Sequence, residues 1–124
     1  MTRAEAIELG YQASDTDMPY TEFKEMLKTW HIKPIEKYGK PIGVFFNKNA
    51  QIHFSILKEY RKRWANRQIV KDFIEPVFKA YNFVITTVPD TKPYGHKIVQ
   101  KFGFEYLTKQ DTYTVYKLES LKWV

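Results

Sequence analysis

Residues 51–88 read QIHFSILKEYRKRWANRQIVKDFIEPVFKAYNFVITTV, and the hydrophobic period changes twice within them. In Gln51–Leu57 the apolar Ile52, Phe54 and Ile56 alternate with Gln51, His53 and Ser55, the pattern of a strand with one apolar and one polar face. A basic segment follows, Lys58-Glu59-Tyr60-Arg61-Lys62-Arg63-Trp64-Ala65-Asn66-Arg67. It leads into a helix running to about Tyr81, in which Ile69, Phe73, Val77 and Tyr81 recur every four residues and Val70, Ile74 and Phe78 widen the stripe. Pro76 lies inside that stripe and predicts a kink or a split, because it lacks the N–H of the helical ladder. Phe83–Val88 is then a continuous apolar and β-branched run, the mark of a buried, parallel-type strand.

Working outward, Tyr38-Gly39-Lys40-Pro41 reads as a turn, Ile42–Phe46 as an apolar strand and Asn47-Lys48-Asn49 as a second turn. With Ile32–Lys37, whose Pro34 predicts an edge position, these make a three-stranded antiparallel meander. Thr2-Arg3-Ala4-Glu5 is a capping box, so a helix starts there and ends before Ser14-Asp15-Thr16-Asp17. A second helix follows Pro19, with Phe23, Met26, Leu27 and Trp30 on one apolar face. Downstream, Pro93 opens a further helix, Ile98, Val99 and Phe102 face inward, and Gly103 stops it. Phe104–Leu107 and Thr112–Leu118 form a hairpin turning near Lys109-Gln110-Asp111. The expected fold class is α/β, with a mixed (α+β) sheet: an antiparallel meander followed by β-α-β-α-β, one domain over residues 1–124.

The 124 residues are 44% hydrophobic and 17% aromatic, enough for a real core and unlike a disordered chain. No apolar run approaches the roughly 20 residues needed to span a bilayer. Met1–Glu5 lacks the pattern of a secretory signal, so a cytoplasmic protein is expected. Without cysteine there is no disulfide, no thiolate nucleophile and no Cys-based zinc site. His31, His53 and His96 lie far apart with no ligand spacing between them, so no metal site is expected. The net charge of +6 favours anionic partners: nucleic acid, a phosphorylated cofactor or an acidic protein surface.

The element order resembles the GNAT family of N-acyltransferases, over roughly Ile42 to Leu118, and two stretches resemble its signatures. Ile52–Arg67 looks like the strand and loop that hold the pantetheine and pyrophosphate of acetyl-CoA. In that family an Arg or Gln is followed three and five residues on by Gly and then Gly or Ala; Arg61 fits the opening position, after Glu59-Tyr60. Val84–Phe104, ending Lys101-Phe102-Gly103-Phe104, looks like the closing half of the fold. The departures are specific. Trp64 and Asn66 stand at the two small positions, where glycine lets backbone amides approach a phosphate and an indole obstructs them unless it points aside. Lys92 stands at the usual asparagine and Val99 at the general-acid tyrosine, and valine has no proton to give. The family's first strand is missing. Together these losses resemble short GNAT-like proteins of tailed bacteriophages, which often carry a basic Arg-Trp segment in place of the glycine loop and include head and internal virion proteins.

The resemblance implies acyl transfer from acetyl-CoA to an amine that the sequence does not name. His53, where the family often places a Glu or His, would take the amine proton, with Ser55 facing the same cleft. Backbone amides near Ser55–Leu57 would polarise the thioester, Ile56 and Leu57 would line the cofactor, and Arg61, Arg63 and Arg67 would hold its phosphates around Trp64 and Asn66. Each residue also has a plainer reading: His53 as a hydrogen-bonded strand histidine, Ser55 as a polar strand residue, the basic run as a solvated loop. Tyr94, Tyr113 and Tyr116 are either substitutes for the missing acid or core and interface residues. A second function class stays open, a non-catalytic GNAT-fold protein that binds virion or host proteins, located in a virion or the host cytoplasm. A third, a nucleic-acid patch of the basic run with Tyr60 and Trp64 interleaved, has no helix-turn-helix, zinc-finger or RNA-recognition motif behind it, so nucleic acid is not the expected partner.

Overall fold

Thr2 opens α1 (Arg3–Ser14) by reciprocal bonds: the Glu5 amide donates to Thr2 Oγ1 at 3.1 Å and the Thr2 amide to Glu5 Oε1 at 2.9 Å. The coordinates are a computed structural model and describe residues 1–121. Asp15, in the left-handed region at φ 49°, ends α1 inside the polar stretch that predicted its stop. After Pro19 comes α2 (Tyr20–Met26). Phe23 and Leu27 are buried, whereas Met26, expected on the same face, is exposed. Three positions beyond Phe23 is about 60° round the helix, and the chain leaves the helix there.

The meander forms as expected, with longer strands: β1 (His31–Lys37), β2 (Lys40–Lys48) and β3 (Gln51–Ile56). β1 pairs antiparallel with β2 from His31↔Asn47 to Lys37↔Lys40 and, with Pro34, lies at the sheet edge. Tyr38 and Gly39, at φ 54° and 76°, make the tight turn between them. Asn49-Ala50 joins β2 to β3, a connection that only antiparallel neighbours allow.

Two compact units are distinguished, residues 1–48 with 53–63, and residues 49–52 with the chain from Trp64 onward. In the first, α1 packs on β1 and β2 around Ile7, Phe23, Leu27, Val44 and Phe46. Gly10 permits that packing: a Cβ there would sit 2.5 Å from Phe46 Cζ.

In the second unit Asn66 begins α3 (Arg67–Ile69), which runs through a π turn (Val70–Ile74) into α4 (Glu75–Tyr81). The π turn is the answer to Pro76. Glu75 N–H reaches Val70 O, five residues back, and Pro76 then falls in the first turn of α4, where no intrahelical donor is needed. β4 (Val84–Pro89) follows, then α5 (Pro93–Lys101), β5 (Glu105–Gln110) and β6 (Tyr113–Leu118). Gly103 stops α5 at φ 100°, with Phe104 N–H on Val99 O and Gly103 N–H on Gln100 O, the two bonds of a Schellman motif. The strand order is β1-β2-β3-β4-β6-β5. β4 is parallel to β3 at Gln51↔Ile85 and antiparallel to β6 from Val84↔Leu118 to Pro89↔Tyr113. The apolar run thus marked a buried strand correctly, while only one of its neighbours is parallel, because the closing hairpin slots its second strand beside it. Among the described residues no helix is long and apolar enough to cross a membrane.

Candidate functional site

The polar face of β3 is not a solvent face. His53 lies under Trp30, ring centroids 5.6 Å apart, and desolvation pushes its imidazole down to about 4 although part of its surface still meets water. The histidine is therefore neutral at pH 7 but a weak base, not the near-neutral titrating group expected of it. Ser55 Oγ lies 2.8 Å from Ser14 Oγ, and Ser14 donates its single proton to Gly10 O at 2.6 Å. Ser55 is accordingly the donor to Ser14, and its oxygen keeps its lone pairs for a further donor.

At the end of β3 the Leu57 amide donates to Ile42 O at 2.9 Å, so it does not polarise an external carbonyl, contrary to expectation. N–H groups alternate along a strand, which turns the Ile56 amide to the edge away from β2. Gly43 lets the two strands close up there, since a Cβ on it would meet Ser55 O at 2.4 Å. Arg61 departs from its expected role too. Its Nε donates to Ile56 O and its Nη2 to Ala13 O and Asp15 Oδ2, each at 2.9 Å. The guanidinium ties the loop to the C-terminal end of α1, where a cation suits the helix dipole, instead of standing out for phosphate. Lys62 and Arg63 remain exposed.

In the second unit Trp64 is 4% exposed. Its ring meets Phe102 edge-on at 5.7 Å and its Nε1 donates to Tyr94 Oη at 2.8 Å. The indole points aside into this unit's core and is neither a plug nor a cofactor contact. Asn66 Oδ1 accepts the Ile69 amide at 3.0 Å, so the side chain caps the helix start that a phosphate would otherwise occupy. Arg67 is exposed.

No family model matches the sequence, and none of the curated proteins matches it. Solved structures do resemble it. The spermidine/spermine N-acetyltransferase of Vibrio cholerae aligns over 95% of this chain and 90% of its own, with a TM-score of 0.68 at 8% identity. The ribosomal-protein-S18-alanine N-acetyltransferase of Escherichia coli aligns over 95% and 89%, with a TM-score of 0.68 at 11% identity. A Bacillus subtilis acetyltransferase in complex with CoA aligns over 98% and 95%, with a TM-score of 0.67 at 15% identity. The fold is the GNAT fold. At these identities the likeness is one of architecture, and chemistry has to be argued from residues.

Against the GNAT pattern, Val99 is half-buried on α5 with only a methyl-bearing side chain, and Lys92 precedes that helix without a side-chain cap. Each of the three tyrosines offered as a substitute acid has a side-chain hydrogen-bond partner, though Tyr94 keeps its own proton. Tyr94 accepts from Trp64, and Tyr113 donates to Gln110 Oε1 at 2.9 Å. Tyr116 Oη lies 2.7 Å from His96 Nδ1, and His96 Nε2 lies 3.0 Å from Pro89 O. A carbonyl only accepts, which puts the His96 proton on Nε2 and makes the buried Tyr116 the donor to Nδ1. Sequence reading missed Trp30 over His53 and Ser14 on Ser55. Both contacts join distant segments, and the only advance signal was the small and polar residues at the end of α1.

Proposed function

We propose that this chain is an N-acyltransferase moving an acyl group from acyl-CoA, with acetyl-CoA the first donor to test, to an amine. What carries the reading is the likeness of fold, along 98% of the chain, to an acetyltransferase with CoA bound. The donor would supply a thioester carbonyl open to attack and a thiolate able to leave. We assign the polarising of that carbonyl to the Ile56 amide, because the Leu57 amide is already held by Ile42 O.

His53 sets a condition on the amine. A base held near 4 does not deprotonate an ammonium of pKa about 10, so the amine must arrive uncharged. Once its nitrogen has bonded to carbon and become cationic, the proton is acidic enough for the neutral imidazole to accept. The Ser55 lone pairs orient the incoming N–H. Val99 gives the departing thiolate no proton, so water must, and the missing acid slows turnover by about 10²–10⁴-fold. The reading treats residues 1–124 as one GNAT domain working in the cytoplasm. A second reading, a GNAT-fold protein that binds phage virion or host proteins without catalysis, draws on the same Val99 and on Arg61 and Asn66 serving the fold.

A thermal-shift titration separates the two. At 100 times the dissociation constant a ligand adds about 2.7 kcal/mol, a shift of several degrees in a domain this size. We expect saturable shifts with acetyl-CoA and CoA and none with ATP; no shift at millimolar acetyl-CoA would favour the non-catalytic reading.

A further inference from the structure

The basic run does not act as one patch. Arg61 is turned toward α1 and Trp64 is buried, while the residues between them open on a groove of about 490 Å³ that the turn between β1 and β2 completes. Lys37, Tyr38 and Lys40 line it from the turn, and Tyr60, Lys62 and Arg63 from the loop, with Glu59 the one carboxylate among the lining residues. Lys37 joins the two walls: its Nζ donates to Arg63 O at 3.3 Å and lies 5.7 Å from the centroid of the Tyr38 ring.

Burial in the fold does not account for the Tyr38 ring. The residue is held at φ 54°, a conformation that favours Asn or Gly in this kind of turn, and its side chain is 93% exposed. An exposed ring at a strained tip, flanked by two lysines and lining a basic groove together with Tyr60, is arranged for a ligand carrying both negative charge and flat faces.

We propose that this groove binds single-stranded nucleic acid, its phosphates on Lys37, Lys40, Lys62 and Arg63 and its bases stacked on Tyr38 and Tyr60. Cations alone would suit any polyanion; the rings select unpaired bases, because a duplex keeps its π faces stacked inside and an acidic peptide has none. No motif in the sequence announces the site, since its two walls lie about twenty residues apart in the chain and meet only in the fold. Apart from Arg63, which the resemblance also offers to a cofactor phosphate, the residues differ from those given to acyl transfer, so variants of Tyr38, Lys40 and Lys62 separate the two activities.

Fluorescence anisotropy with a labelled oligothymidylate of about 12 nucleotides tests this on the full chain. We expect saturable binding, tighter than to a duplex of the same length. The slope of log K against log salt should be about −2 to −3, from four cations at about 0.7 each. Tyr38→Asn should weaken binding about 5- to 150-fold by removing one stacking platform. It keeps the turn, because Asn is at home at positive φ, and should leave the Tm and the acetyl-CoA shift unchanged. Lys40→Glu combined with Lys62→Glu should flatten the salt slope. Absence of saturable binding at low salt would overturn the proposal. So would equal affinity for duplex or polyglutamate with Tyr38→Asn indistinguishable from wild type, the behaviour of a bare cationic patch.

Discussion

Trp64→Ala lowers the unfolding free energy by about 3–5 kcal/mol, the cost of emptying a large aromatic site in a packed core. The indole is 4% exposed, packs edge-on against Phe102 and donates to Tyr94 Oη, so truncation removes apolar burial, a ring pair and a hydrogen bond together. For a chain of 124 residues that is a fall of roughly 10–20 °C in Tm, read by circular dichroism. Domains carry only about 5–15 kcal/mol in total, so Trp64→Phe serves as the milder companion, keeping a ring and losing the N–H, with about 1–2 kcal/mol expected. A loss below about 1 kcal/mol in Trp64→Ala would mean that the indole is not core. Because the indole points aside into the core, shortening it opens no phosphate loop, and the variant should gain no CoA affinity.

The second large effect is a pH dependence owed to His53. Its imidazole falls from 6.5 to about 4 because burial disfavours the charged form. Between those values the unfolded chain binds a proton that the folded chain does not, so stability rises with pH in that window. The contribution is fully present above pH 6.5, is lost as pH falls toward 4, and amounts to about 3 kcal/mol at most. Other carboxylates also titrate there, so the measurement is a difference: urea unfolding of wild type and His53→Gln at several pH values from 7 to 4. Wild type should lose about 3 kcal/mol relative to the variant across that range. A pH-independent difference would show that the ring is not desolvated under Trp30.

How far the sequence reached follows from the range of the interactions involved. The Thr2–Glu5 box, the Gly103 stop and the Pro34 edge rest on contacts within a few residues or on one residue's backbone chemistry, and each stands in the structure. Pro76 announced an interruption without its form, because a π turn and a kink relieve the same missing N–H. The site was less legible. Arg61, Trp64 and Asn66 were placed by analogy in a phosphate loop, whereas Ala13, Phe102 and the Ile69 amide decide where their side chains point. Two of those three contacts span more than thirty residues, and periodicity carries no information about them. The shift at His53 was equally hidden, since its cause lies in what packs around the ring. For Val99 the fold adds nothing to the reading, because an aliphatic side chain lacks a proton to give wherever it points.

The most direct test of the acyl-transfer account is an amide-resolved NMR titration of the full chain with acetyl-CoA. The account predicts saturable shifts in the His53–Leu57 strand, largest at the Ile56 amide and larger there than at Leu57, whose N–H is already held by Ile42. If no amide in that strand moves at millimolar acetyl-CoA, the chain has the GNAT fold without its chemistry, and the account is wrong.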